Sequence, residues 1–154
     1  MESNKILEKA RAYAFLLLKY RLRSKKELGD RLRRRKFPEE TIEKVVSSLE
    51  EKGYLDDTAF AKAWIASRTG QKFGAGRIRR ELRFKGVDPD LVEEGLRESE
   101  EARPEEQTVR EIAEEKFRKL KGLEPKTAKR RIYAYFLRRG FSPDTITDII
   151  NGLT

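Results

Sequence analysis

Cysteine and histidine are both absent from this chain of 154 residues. Without cysteine there is no disulfide, no thiolate nucleophile and no thiolate metal site. Without histidine as well, a conventional zinc site and a Ser-His-Asp triad are excluded. No catalytic residue, metal or cofactor is therefore expected. Long apolar runs are missing too. No stretch approaches the ~20 apolar residues of a membrane span, and the opening Met1-Glu2-Ser3-Asn4-Lys5 lacks the basic and apolar segments of a signal peptide. These absences fit a cytoplasmic protein with no membrane partner. An alternating strand pattern is also lacking.

Charge is abundant. Charged residues make up 41% of the chain and hydrophobic residues 37%, with a net charge of +9. The charge is arranged in blocks: net +9 over residues 1–36, −5 over 37–57, +7 over 58–86, −6 over 87–125 and +4 over 126–154. Folding such a chain can set positive stripes beside negative ones, as an anionic partner would require; solvated helix faces explain any single block equally well.

A short phrase recurs through these blocks. Phe37-Pro38, Val87-Asp88-Pro89 and Phe141-Ser142-Pro143 lie 50 and 54 residues apart, each inside a matching set of apolar positions. Leu28/Leu32, Ile78/Leu82 and Ile132/Phe136 precede them; Ile42/Val46, Val92/Leu96 and Ile146/Ile150 follow. A repeat of this length is a small helical unit used three times, and such arrays present binding surfaces. The periodicity is helical throughout, three helices per unit. Ser24 and Glu27 form a capping box for the second helix, which runs to about Lys36, and the third follows Pro38 and stops near Gly53. Asp56 and Asp57 are caps for the fourth helix. Residues 70–76 read as a connection, and the acidic run from Glu98 to Glu106 as the best linker. In the later phrases Asp88 and Ser142 cap, proline takes the first helical position, and the apolar residue staples onto Val92 or Ile146. Lys36 replaces the glycine found at Gly86 and Gly140, so a tighter or altered entry is expected in the first copy.

The glycine-rich segment Gly70-Gln71-Lys72-Phe73-Gly74-Ala75-Gly76 resembles a phosphate loop only loosely, with no preceding strand and no Lys-Ser or Lys-Thr after it. The fifth helix is more informative. Ile78 and Leu82 point one way; Arg80 and Arg83 point opposite, with Arg77 on the flank and Phe84 among the arginines. An aromatic beside guanidinium groups suits nucleic-acid stacking or an acidic protein surface, but Phe84 is expected to pack against a neighbouring repeat. Phe60 and Trp64, one helical turn apart, are expected in the core. The second helix of every unit is basic. The candidate nucleic-acid or filament contacts are Arg33, Arg34, Arg77, Arg80, Arg83, Lys85, Arg130 and Arg138.

At Gly53-Tyr54-Leu55-Asp56-Asp57, Phe60-Ala61, Trp64 and Arg68, and onward through Gly74, Arg77-Ile78, Glu81-Leu82 and Lys85-Gly86-Val87, the chain resembles the bacterial RecX regulatory proteins. Arg23-Ser24-Lys25-Lys26-Glu27-Leu28 with Arg31-Leu32 is similar to the family's opening motif, and Arg138-Arg139-Gly140-Phe141 to its closing one. The resemblance implies an all-α fold of three tandem three-helix repeats (1–53, 54–101 and 102–154) in an elongated, curved modular array. It implies a non-enzymatic regulator that binds the RecA recombinase and its filament on DNA, suppresses its ATPase and strand exchange, and so modulates homologous recombination and repair. The implied partners are RecA and single-stranded DNA, with double-stranded DNA as a further candidate, and a monomer is expected. Tyr54, Asp56, Asp57, Phe60, Trp64 and Arg68 carry over as motif residues that make contacts or hold the second repeat together. The alternatives are a basic helical DNA-binding protein with helix-turn-helix-like units and an RNA-associated factor.

Overall fold

A computed structural model describes residues 2–154. The described residues form nine α-helices: α1 (Glu2–Tyr20), α2 (Lys25–Arg34), α3 (Glu39–Glu51), α4 (Asp57–Gly70), α5 (Ala75–Phe84), α6 (Pro89–Ala102), α7 (Glu105–Lys119), α8 (Pro125–Arg138) and α9 (Pro143–Asn151). No strand occurs among them. The connections are short, and the acidic run expected as a linker is mostly helix, with only Arg103 and Pro104 between α6 and α7. Glu98, Glu101 and Arg97 face water on a helix end, where Arg97 pairs with Glu94 and Glu101 at 3.3 and 3.5 Å. Such i,i+3 and i,i+4 pairing keeps an acidic sequence helical. The 70–76 segment is likewise half helical, since α4 reaches Gly70 and α5 begins at Ala75.

Contacts divide the chain into two compact units. The first contains residues 1–63 and 82–92, the second 64–81 and 93–154. In the first, α1, α2 and α3 pack on one another around Ala14, Leu17, Leu28, Leu32, Val45 and Leu49. In the second, α7, α8 and α9 do the same around Val109, Ala113, Ile132, Phe136, Ile146 and Ile149. Every one of these positions lies on the three- or four-residue stripe of its helix, and each buried Leu, Ile or Phe is worth about 1.5–3 kcal/mol relative to exposure.

The recurring phrase is a helix stop joined to a helix start. Phe37, Val87 and Phe141 donate their N–H groups to the carbonyls of Leu32, Leu82 and Phe136, at 3.2, 3.1 and 3.2 Å. The residues just before, Lys36, Gly86 and Gly140, bond back to Arg33, Arg83 and Leu137 at 2.8, 3.0 and 3.1 Å. This pair of bonds is the Schellman motif, which needs a left-handed residue between the helices. Lys36, Gly86 and Gly140 supply it, with φ of 64, 74 and 90°. The first copy therefore has the same turn as the others, not an altered one; lysine is held where glycine would be unstrained. The three glycine-or-lysine turns differ instead in capping. Asp88 accepts from the Asp90 N–H at 2.8 Å, whereas Ser142 and Pro38 make no side-chain cap.

Candidate functional site

In the first unit the start of α2 is held by residues far away in sequence. Ser24 is fully buried. Its hydroxyl accepts the Glu27 N–H at 3.1 Å and donates to the Lys85 carbonyl at 2.8 Å. The Glu27 carboxylate returns to the Ser24 N–H at 3.1 Å, completing the capping box, and pairs with Arg21 at 2.9 Å and Lys85 at 2.8 Å. Burial raises the Glu27 pKa, but the bonds from Arg21, Lys85 and the Ser24 amide outweigh it and bring it down to about 2. The next amide, Lys25 N–H, is taken by Asp57 at 2.9 Å. Asp57 thus serves α2, while Asp56 alone caps α4, accepting from Thr58 and Ala59 at 3.0 and 3.2 Å. Burial pushes the Asp57 carboxyl up, against the Lys25 N–H bond.

A groove of about 250 Å³ runs beside this clasp, along Arg21, Arg23, Arg31, Arg34, Phe84 and their neighbours. Phe84 is 81% exposed, so it does not pack into a neighbouring repeat; its ring has the Lys26 ammonium 5.5 Å from its centroid. Tyr13 sits under Arg35, 4.1 Å from the ring centroid, and accepts from Arg31 at 3.4 Å, which lowers its pKa.

The second unit repeats the clasp with different chemistry. The Gly74 and Gly76 N–H groups at the start of α5 donate to the carbonyls of Arg139 and Gly140, at 2.8 and 3.0 Å. Backbones touch here: a Cβ on Gly74 would lie 2.5 Å from the Gly140 carbonyl carbon, and one on Gly140 would lie 2.5 Å from the Arg77 nitrogen. The Ala75 N–H points to Glu105 at 3.4 Å, and the same carboxylate takes the Ser142 N–H at 3.4 Å. Burial raises the Glu105 pKa. Phe73 is caged by guanidinium groups, with Arg77 and Arg139 each 4.0 Å from its centroid and Arg68 at 5.6 Å. Arg139 also donates to the Lys72 carbonyl at 2.8 Å.

The candidate residues fall into three groups. Several are built into the scaffold. Phe60 is buried. Arg68 pairs with Glu81 at 3.1 Å and lies 4.6 Å over Trp64. Trp64 is half-buried rather than core, because its indole N–H donates to Glu81 at 3.1 Å and its ring carries Arg68. Lys85 is held by Glu27, and Arg77 by Phe73 and by Glu81 at 3.5 Å. Arg33 is exposed but forks onto Glu39 and reaches Asp30 at 3.0 Å. A second group is free: Arg34, Arg80, Arg83, Arg130 and Arg138 are exposed and enter no ion pair with the described residues. Arg138 stands in a second basic groove of about 350 Å³ with Lys116, Lys119, Arg131 and Tyr135. Tyr54 forms the third kind, 55% exposed and edge-on to Phe15 at 5.1 Å.

Sequence reasoning missed Glu27 as an ion-pair hub, Arg139 as a clasp and Glu105 as a buried acceptor. Their signal lay in register between repeats. Lys25 and Ala75 stand 50 residues apart and Lys85 and Arg139 stand 54 apart, the same spacings as the proline phrases.

Among the described residues no helix is long and apolar enough to cross a membrane, and no group of three His, Cys, Asp or Glu residues could hold a metal. Helix triads in tandem, each with a basic middle helix, define a helical-repeat protein. Comparison with known proteins makes this specific. Residues 10–49, 56–96 and 104–150 match the first, second and third three-helix domains of RecX. The chain is 37% identical over 137 residues to a protein of Streptomyces lividans named regulatory protein RecX, covering 88% of this chain and 72% of that one. A protein of the same name from Prosthecochloris aestuarii is 35% identical over 153 residues, covering 99% and 95%. The crystal structure of RecX from Lactobacillus salivarius superposes with a TM-score of 0.87 at 24% identity, covering 97% of both chains. The chain belongs to the RecX family of regulatory proteins.

Proposed function

We propose that this chain is a regulator of the RecA recombinase, which binds the recombinase filament on DNA and restrains its ATPase and strand exchange. It acts as a cytoplasmic monomer through modules 1–53, 54–101 and 102–154. The carrying observation is near full-length membership of a family of regulatory proteins, together with basic middle helices whose Arg34, Arg83 and Arg130 are exposed and not neutralised within the described residues. Such a surface suits the acidic envelope of a nucleoprotein filament. The test is a titration against RecA from the same organism on long single-stranded DNA. Inhibition of ATP hydrolysis below one molecule per RecA subunit is expected; no effect at saturating protein sinks the reading. Arg80→Glu with Arg83→Glu should leave helicity intact and weaken filament or DNA binding several-fold, and unchanged binding removes that helix face from the site.

The exposed arginines on α2, α5 and α8 also favour a second reading, a DNA-binding protein of helix-turn-helix-like units. It requires salt-dependent duplex binding with sequence preference, and uniform affinity across sequences counts against it.

A further inference from the structure

We infer that the groove beside α2 in the first unit is a binding site for single-stranded nucleic acid, in which Arg23, Arg31 and Arg34 meet the phosphates and Phe84 stacks on an unpaired base. This deepens the regulatory reading and rests on its nucleic-acid part. The first support is an uncompensated charge. The groove's two carboxylates are already spent: Glu27 on Arg21 and Lys85, Asp30 on Lys26 at 3.2 Å and Arg33 at 3.0 Å. Arg23, Arg31 and Arg34 form no ion pair with a carboxylate among the described residues, and the only carboxylate whose charge Arg23 feels is the already paired Glu27. Arg31 has only the Tyr13 hydroxyl, at 3.4 Å. The Nε of Arg23 is buried with no hydrogen-bond acceptor, and burial and the neighbouring charges of Arg21 and Arg31 disfavour its protonated form. A cluster of guanidinium groups in this condition gains most from an incoming anion, and the planar fork matches a phosphate's oxygens.

The second support is the ring. Phe84 is the most exposed of the large apolar side chains, and every other side chain lining the groove is charged. There is no apolar pocket for a peptide side chain. A flat aromatic face bordered by cations instead fits a base and its flanking phosphates. A duplex keeps its bases stacked and offers no face to the ring, so the single strand is the form selected.

The experiment measures anisotropy of a labelled oligo-dT 20-mer and of a duplex of equal length against the full chain, at 50 and 200 mM salt. Arg31→Glu with Arg34→Glu should weaken oligo-dT binding at least tenfold and make the log-affinity against log-salt slope shallower by about 1.4, at ~0.7 for each phosphate that is no longer neutralised. Phe84→Ala, at an exposed position that leaves folding unaffected, should weaken oligo-dT binding roughly fivefold or more, with the salt slope and duplex affinity unchanged. The inference is overturned if wild-type protein does not bind oligo-dT at 50 mM salt. It is also overturned if the variants keep native circular dichroism and wild-type affinity, if duplex binding falls equally with Phe84→Ala, or if a poly-glutamate peptide competes as well as the oligonucleotide does. RecA ATPase inhibition, measured on the same proteins, separates the two claims. Wild-type protein that binds oligo-dT through the groove but leaves RecA unaffected defeats the regulatory reading and upholds the site. Inhibition that persists with normal oligo-dT binding by the variants defeats the site alone.

Discussion

The two units use one joint built from opposite chemistry. In each, the turn after a basic helix, Lys85-Gly86 or Arg139-Gly140, docks on the start of another basic helix, α2 or α5. In each, the first residue of a following helix, Asp57 or Glu105, takes that helix's first amide. The first joint is made by side chains: the Ser24 hydroxyl meets the Lys85 carbonyl, and Glu27 neutralises Lys85. The second is made by backbone, with Gly74 and Gly76 meeting Arg139 and Gly140 directly. The position of Glu27 is there occupied by Arg77, so Arg77 and Arg139 would repel. Phe73 lies within 4.0 Å of both and offers its electron-rich face to each. Equivalent geometry thus survives a charge inversion because the docking carbonyls do not depend on side-chain sign.

The sharpest way to break the comparison is at the two turn glycines. Gly140→Ala should cost about 4 kcal/mol, the sum of left-handed strain and a clash with the Arg77 backbone. Gly86→Ala should cost about 2 kcal/mol, since the added carbon meets the Lys26 side chain at 2.5 Å, which can swing away in part. Chemical denaturation of both variants checks the ranking; equal losses would mean that the two joints are not side-chain-built and backbone-built as described.

Acid separates the joints next. The folded pKa of Glu27, about 2, lies below its ordinary 4.5, so its contribution is complete above pH 4.5 and disappears as pH falls toward 2. Glu27→Gln should lower stability at pH 7 by about 2–3 kcal/mol, with the difference from wild type vanishing near pH 2. Asp57 and Glu105 run the other way. Their raised folded pKa values give a contribution present at low pH and lost as pH rises through those values. Asp57→Asn with Glu105→Gln should therefore remove a fall in stability on going from about pH 4.5 toward neutrality. Denaturation midpoints across pH 2–7 read both effects, and parallel curves for Glu27→Gln and wild type would refute the hub assigned to Glu27.

The smallest effect concerns the turn outside both joints. Lys36→Gly should stabilise the chain by about 1 kcal/mol by relieving a left-handed lysine. A loss of stability would show that the Lys36 side chain contributes more than its backbone costs.

Much of this was legible from residues alone. The capping box of Ser24 and Glu27, the helix starts at Pro89 and Pro143, and the stripes through Leu28/Leu32 and Ile132/Phe136 follow from local rules about amides, φ angles and periodicity. The acidic run from Glu98 to Glu106 was misread locally, since short-range pairs keep it helical, but other misreadings depended on distant partners. Trp64 fits a core stripe, yet a carboxylate and a guanidinium reach it from elsewhere, and it settles half-buried. Phe84 is apolar in a helix and still stays in water, because the face that it shares with charged groups meets no apolar surface in its unit. Arg33, Arg77 and Lys85 looked the same as Arg34 and Arg83 in sequence; only the placement of Glu39, Phe73 and Glu27 separates the held cations from the exposed ones.

Local chemistry, then, determined by sequence alone where the helices after Pro38, Pro89 and Pro143 begin, which stripe is buried and how many times the unit recurs, because caps, proline and the 3.6-residue period act within a few residues. Tertiary structure decided which charges are spent and which remain for a partner, because ion pairing, desolvation and close backbone approach join residues such as Ser24 and Lys85, or Gly74 and Gly140, that lie more than sixty positions apart along the chain.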